Sequence, residues 1–378
     1  MTNKKIRPIA IYLPQFHPIP ENDEWWGKGF TEWTNVVKAK PLFKGHYQPH
    51  LPADLGFYDL RVPEVREAQA KMAQDHGIYG FCYYHYWFNG KRILERPFQE
   101  VFESGKPDFP FMLCWANENW TRVWSGYGKD ILLMQSYSYE EDLQHIRHIS
   151  KYFLDKRYIR VNGKPFFIFY RPEFFPDIKR TLEIWREEAK QIGIGELYLA
   201  YMHSPKNNNK NIIEAGFDAA VEFSVHGNRK SKQINNIGSK GKISVKHLWS
   251  RIQRRVKYEL NKINFLYPKY NLESYSKFIE DYFLQDELPF KLYPSLFPGW
   301  DSTPRHGERA TIFIDNTPEL YGAWLRRILE KFEPFSNEEN FVFINAMNEW
   351  AEGNHLEPCQ KWGYAFLEAT KKSLKGYT

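Results

Sequence analysis

Cysteine is scarce in this 378-residue chain: Cys82, Cys114 and Cys359 are an odd set with no Cys-x-x-Cys spacing. That argues against a disulfide-stapled scaffold or a zinc ribbon, and leaves Cys82 and Cys114, inside apolar runs, as reduced core thiols. Long apolar runs are missing as well. None approaches the roughly 18–20 residues that a bilayer-spanning helix needs, and mean hydropathy is -0.62. No G-x-G-x-x-G follows the first apolar run, which weighs against a dinucleotide-binding half. An Asp-x-Asp pair and a phosphate-cradling glycine loop are also absent, so the usual marks of a metal–nucleotide diphosphate site are missing. Lys4, Lys5 and Arg7 precede only Ile9 to Leu13 before Pro14, too short for the apolar part of a secretory leader. A cytoplasmic location is the expectation.

Aromatic residues, by contrast, are abundant. They make up 17% of the chain, with 13 Trp, 24 Tyr and 29 Phe. Many stand beside polar residues at the ends of apolar runs, where a ring with one wet edge suits the face of a sugar; a thick aromatic core is the plainer explanation. Positive charge is local. The net charge is +6, yet the segment 226–270 holds twelve Lys and Arg against Glu259 alone, so the remainder is mildly acidic. Within it, Leu248, Ile252, Val256, Leu260 and Ile263 fall near helical spacing. A solvated helix packed on the main fold is the favoured reading. The alternative is docking to an anionic membrane surface, which would make the protein peripheral to the inner membrane, or to a lipid-linked or charged glycan. No nucleic-acid motif supports a third choice.

Short apolar runs alternate with amphipathic stretches from end to end. Strands are predicted at Ile9–Leu13, Tyr79–Tyr84, Phe111–Trp115, Phe166–Tyr170, Leu197–Tyr201, Ala219–Phe223, Lys291–Leu296 and Phe341–Asn345. Helices are predicted at Pro63–His76, Tyr139–Phe153, Ile178–Ile192 and Thr317–Phe332, the first with proline at a helix start. Eight such units imply an α/β (β/α)8 TIM barrel rather than an open sheet. One catalytic domain over 1–378, with a basic insertion at 224–274 after strand six, is the expected organisation.

The site of such a barrel lies where strands end at their C-terminal side. Candidate sugar-binding residues recur there: Tyr12, Gln15 and His17 on strand one; His85, Tyr86 and Trp87 on strand two; Trp115, Asn117, Glu118, Asn119 and Trp120 on strand three. Tyr170 and Arg171, His203, Glu222, and Trp300 with Asp301 follow on strands four to seven. Glu118 could instead pair with Arg122, and Glu222 could be a barrel-floor ion-pair partner. His17, His85 and His203 lack metal-ligand spacing, and no metal or cofactor is called for. Strand eight leads into Asn348-Glu349-Trp350-Ala351-Glu352-Gly353, two carboxylates at i and i+3 with a tryptophan between them. On a helical turn those carboxylates share a face, and Trp350 could offer a sugar a flat surface. The bland alternative is a helix start capped by Asn348.

These residues resemble a known group. Tyr12-Leu13-Pro14-Gln15-Phe16-His17, Trp115-Ala116-Asn117-Glu118-Asn119-Trp120, Phe297-Pro298-Gly299-Trp300-Asp301 and the stretch Asn348 to Pro358 look like WbsX-type proteins over practically the whole chain. That group is often labelled glycosyltransferase and is found with O-antigen and other surface-polysaccharide (lipopolysaccharide) genes. More distantly, it is similar to glycoside hydrolase family 99, the endo-acting α-mannosidases and α-mannanases. The resemblance implies retaining chemistry through a 1,2-anhydro sugar. Glu349 would take the 2-hydroxyl proton, and Glu352 would act as general acid and then base. It also implies a raised pKa for Glu352 and an ionised Glu349, helped by Asn348 or a tyrosine. Ala351 and Asn354-His355-Leu356 depart from the mannosidase pattern, which leaves the sugar open. The expected function is a retaining endo-glycosidase or transglycosylase acting on an oligo- or polysaccharide. The alternative is a glycosyltransferase using a nucleotide- or lipid-linked donor in O-antigen or capsular polysaccharide biosynthesis.

Overall fold

The computed structural model describes residues 4–121, 130–204, 210–223, 270–284 and 288–377. Eight parallel strands form its centre. They are β1 (Arg7–Tyr12), β2 (Gly80–His85), β3 (Phe111–Trp115), β4 (Lys164–Phe169), β5 (Tyr198–His203), β6 (Ala219–Glu222), β7 (Leu292–Tyr293 and Ser295–Leu296) and β8 (Phe341–Ile344). Each pairs in parallel with its neighbour, from Ile9↔Gly80 around to Arg7↔Phe341, so the expected TIM barrel is what the chain builds. The strands read as continuous apolar runs because both faces are covered, the inner by the barrel core and the outer by helices.

Closure happens at β7, which breaks at Pro294. Its first half pairs with β6 (Ala220↔Leu292) and its second with β8 (Leu296↔Ile344). Proline has no N–H to give the ladder, but its carbonyl accepts from Phe343 N at 2.9 Å and carries the sheet across the gap. Gly80 opens β2 for a steric reason, since a Cβ there would lie 2.6 Å from the carbonyl oxygen of Pro110.

Helices α1 (Glu32–Lys38), α2 (Pro63–Asp75), α3 (Arg96–Ser104), α4 (Tyr139–Phe153), α5 (Ile178–Gln191), α6 (Pro318–Lys331) and α7 (Ala365–Leu374) surround the barrel. Their starts follow from local chemistry. Ser138 and Thr317 cap α4 and α6 by accepting from Glu141 N and Leu320 N, and Pro63 occupies the first turn of α2.

Aromatic packing fills much of the interior. Phe166 meets Tyr198, Tyr293 and Phe341 at ring separations of 5.0, 5.9 and 5.2 Å, and Trp185 and Trp324 are fully enclosed. The aromatic excess is therefore in good part a core, and only some of those rings face a site.

Most of the expected basic insertion, 224–269, lies outside the described residues. Its last residues are strand: Asn271–Ser274 pairs in parallel with Thr311–Ile314. Among the described residues no helix is long and apolar enough to cross a membrane.

Candidate active site

Beyond β8 the chain makes a small antiparallel hairpin. Asn348 pairs with His355 and Glu349 with Asn354, and Trp350–Glu352 form a single 3₁₀ turn between them. Glu349 ends the strand just before the turn, at φ -88° and ψ 65°, and Glu352 is the turn's last residue, so the two carboxyls come together and hydrogen-bond. Gly353 closes the turn at φ 58°, where a Cβ would sit 3.0 Å from that of Asp301. Only glycine suits both the left-handed backbone and that approach.

The turn is pinned from several sides. The Asn348 amide bridges Leu13 N (2.8 Å) and Leu13 O (3.0 Å) at the end of β1. Asp301 N donates to Glu352 O at 2.7 Å. Trp350 points away from the cleft: it is 1% exposed, stacks on His355 at 3.8 Å and donates its indole N–H to Glu357 at 2.7 Å. The expectation that Trp350 offers a sugar its face is thus corrected, because the ring between two inward carboxyls faces backwards and wedges the turn. Asn348 likewise supports backbone rather than Glu349.

Glu357 is itself buried, accepting also from Tyr58 (2.8 Å) and Gln69 (2.6 Å). Burial pushes its carboxyl up from the ordinary 4.5 to about 7, with the three donors opposing. A raised carboxyl pKa stabilises the fold fully below 4.5 and loses that contribution as pH rises through about 7. Glu357→Gln is therefore expected to flatten the decline of melting temperature between pH 5 and 8 by on the order of 4 °C, while lowering it at pH 5 by mismatching donors. Melting curves across that range check this.

The electrostatic centre is Arg305. Its guanidinium lies 3.2 Å from Glu32 and 3.6 Å from Glu349, and it makes its closest contact with Glu352. All four groups are buried or nearly so, and three carboxyls share one enclosed cation. Burial, which alone would lower the Arg305 pKa, is outweighed by Glu32, Glu352 and Glu349, and the group is held firmly charged. Burial and then the neighbouring Glu352 push Glu349 well above the usual carboxylate range. Glu352 is raised too, by burial, although Arg305 pulls it down. Burial thus raises both carboxyls of the hydrogen-bonded pair, Glu349 included, where the resemblance implies a raised Glu352 beside an ionised Glu349.

A cleft with about 280 Å³ of free volume opens over this pair. Its walls include Tyr86, Glu118, Asn119, Trp120, Tyr170, Arg171 and Trp300 from the predicted set, joined by Leu13, Tyr84, Phe223 and His306. Gln15 stands behind Tyr86, donating to its hydroxyl at 2.9 Å. Glu118 pairs with Arg171 at 2.8 Å; the alternative partner, Arg122, lies outside the described residues. Asn117 braces Arg171 through both backbone groups, at 2.8 and 2.9 Å.

Other expected residues serve elsewhere. Tyr12 donates to Gln69 and is enclosed. His17 is 1% exposed, its pKa lowered by burial to about 4. His85 meets His145 of α4 at 2.9 Å, Trp87 stacks on the same ring, and Trp115 lies against Trp185. His203 packs on Phe290, and Glu222 accepts from the Tyr282 hydroxyl at 2.6 Å, neither on the barrel floor nor in the cleft lining. Asp301 accepts from His46, Gln48 and Thr303 N, behind the turn. Among the described residues no group of three or more His, Cys, Asp or Glu is placed to hold a metal ion.

Glu32 was missed, and Arg305, which stands soon after Trp300 and Asp301 at the end of strand seven, was not linked to the carboxylates. Glu32 opens a short helix and reads as an acid favoured by the helix dipole. Arg305 stands 273 residues away, and only the fold brings the two together.

With this geometry in place, comparisons with known proteins are informative. The family model described as Glycosyltransferase WbsX matches residues 8–370. The protein named WxcX from Xanthomonas campestris pv. campestris strain B100 is 41% identical over 367 residues, covering 97% of this chain and 49% of that protein. Its counterpart from strain ATCC 33913 gives the same figures. The chain spans about half the length of these curated relatives. Among solved structures, a GH99 endo-alpha-mannosidase from Bacteroides thetaiotaomicron aligns with TM-score 0.55 and 14% identity, covering 98% of this chain and 97% of that one. A glycoside hydrolase-like protein aligns with TM-score 0.57 and 14% identity, covering 99% and 95%. At such identity the likeness shows the shared barrel.

Proposed function

Because the chain belongs to the WbsX glycosyltransferase family, we propose that it is a carbohydrate-active enzyme working on a surface polysaccharide through Glu349 and Glu352. The observation that carries this reading is the buried, hydrogen-bonded pair itself, at the C-terminal mouth of the barrel, with both carboxyls pushed up by burial beside the Arg305 charge. A glycosidic bond is broken by such a pair acting as acid and base. The finer reading is a retaining, endo-acting glycoside hydrolase or transglycosylase.

In that mechanism the Glu349 carboxylate removes the proton of the sugar 2-hydroxyl, and O2 attacks the anomeric carbon. Glu352 protonates the departing oxygen, leaving a 1,2-anhydro sugar. Water or a glycan hydroxyl then attacks the anomeric carbon with Glu352 as base, O2 regains a proton from Glu349, and configuration is retained. A proton that starts on Glu349 reaches Glu352 along the contact between them. Arg305 stays charged throughout and stabilises whichever carboxyl is ionised.

The family's own description favours a second reading, in which a nucleotide- or lipid-linked sugar is the donor during polysaccharide assembly. Product analysis on the source cell's surface polysaccharide separates the two. Shortened glycans of retained anomeric configuration, absent with Glu352→Gln, are the expected result. No cleavage, with chain growth only when an activated sugar is supplied, would overturn hydrolysis in favour of transfer.

A further inference from the structure

A second cleft, with about 390 Å³ of free volume, adjoins the first. Trp300 lines both, and the backbone bond from Asp301 N to Glu352 O joins their shared wall. The second cleft is built from chemistry that suits a sugar ring. Tyr47 and Trp362 supply aromatic surface, and the Lys361 ammonium lies over both rings, 4.9 and 4.6 Å from their centres, adding a donor to the lining. Asn316 and the exposed Asp315 add a second donor and acceptors. Charges nearly cancel: Lys44 and Lys361 face Asp315 and an Asp301 already engaged by His46 and Gln48. Such a balance does not select an anion. Rings flanked by mixed donors and acceptors fit a neutral polyhydroxylated ring, apolar on its faces and polar at its edge.

We propose that this second cleft is a distal subsite holding a neutral sugar unit of the same glycan chain whose reacting bond lies over Glu349 and Glu352. The proposal deepens the glycan-processing reading and rests on it. It also explains why an internal bond would be chosen, since a chain lying in both clefts extends beyond the carboxyl pair.

The test uses 2-aminobenzamide-labelled oligosaccharides made by partial acid hydrolysis of the source cell's surface polysaccharide and sorted by length. With wild type, kcat/KM is expected to climb with length until the second cleft is filled. In Trp362→Ala the gain from the added unit falls about tenfold. In Lys361→Ala, a change at an exposed residue that leaves the fold alone, it falls by about threefold. Melting curves show whether Trp362→Ala is folded. A length dependence unchanged in both variants overturns the subsite and leaves the catalytic reading standing. If wild type turns over none of the oligosaccharides, the catalytic reading fails on this substrate. Fluorescence titration of the longest oligosaccharide into Glu349→Gln, with and without Trp362→Ala, then decides the subsite alone: about tenfold weaker binding supports it, and equal binding overturns it.

Discussion

Glu349→Gln is expected to lose about a thousandfold or more of turnover while keeping its fold. General acid–base groups contribute about 10²–10⁴ each, and Glu349 in addition generates the attacking O2. The fold survives because burial and Glu352 already push the Glu349 carboxyl toward its neutral form. A glutamine amide matches that neutral group in shape and can donate to Glu352 in its place. The variant should also be less sensitive to pH. A carboxyl raised above its unfolded value stabilises below that value and ceases to do so as pH rises through the folded one, so wild type loses stability toward neutrality and Glu349→Gln loses less. Leaving-group chemistry separates the roles. On an aryl glycoside of the same glycan, departure needs little protonation, so Glu352→Gln should recover much of its rate and Glu349→Gln should not. The opposite pattern would assign Glu349 as the acid. Full activity in both variants would remove the carboxyl pair from the mechanism.

What the sequence could and could not disclose follows from strand geometry. Eight apolar runs stood out because parallel strands covered on both faces are almost wholly apolar, with His85, His203 and Glu222 only at their ends. The same property conceals which residues face inward. His85, Tyr86 and Trp87 were equally plausible at the end of β2, yet side chains alternate along a strand. Tyr84 and Tyr86 therefore reach the cleft, while His85 and Trp87 turn outward onto His145. At the end of β3 Trp115 lies against Trp185, and the loop that follows brings Ala116, Glu118, Asn119 and Trp120 to the cleft. The Glu349–Glu352 spacing was legible because three residues is a local distance on any tight helical turn. Trp350 was misjudged for the complementary reason: a residue between two that share a face points elsewhere. Glu32 carried no local signal, and Arg305, placed by its position after strand seven, carried none that tied it to the carboxylates. Their partnership exists only once β1, β7 and β8 have closed the barrel.

Arg305→Met should produce the largest loss of stability of any single change at the site. It removes the only cation that the described residues place among Glu32, Glu349 and Glu352. Breaking a buried ion pair from one side costs about 3–5 kcal/mol. For a chain of this size that corresponds to a fall in melting temperature of about 4–6 °C. Protonation limits the damage, and this gives the prediction its sharper form. Without the guanidinium, Glu349 and Glu352 lose the charge that draws them down, and their folded-state pKa values rise further above their unfolded ones. Their contribution is then intact below about pH 4.3 and disappears as pH rises through the folded values. The gap between wild type and Arg305→Met should thus be small near pH 5 and widen toward pH 8. A gap constant with pH would mean that Arg305 acts by packing alone, and a narrowing gap would contradict the three-carboxyl account. Adding Glu32→Gln should recover part of the loss, because one uncompensated acid is removed; strict additivity of the two changes would show that the groups are uncoupled. The reaction should register the same change. With Glu352 no longer drawn down by Arg305, any residual activity should keep its general acid protonated to higher pH, and the alkaline limb of the rate profile should move upward.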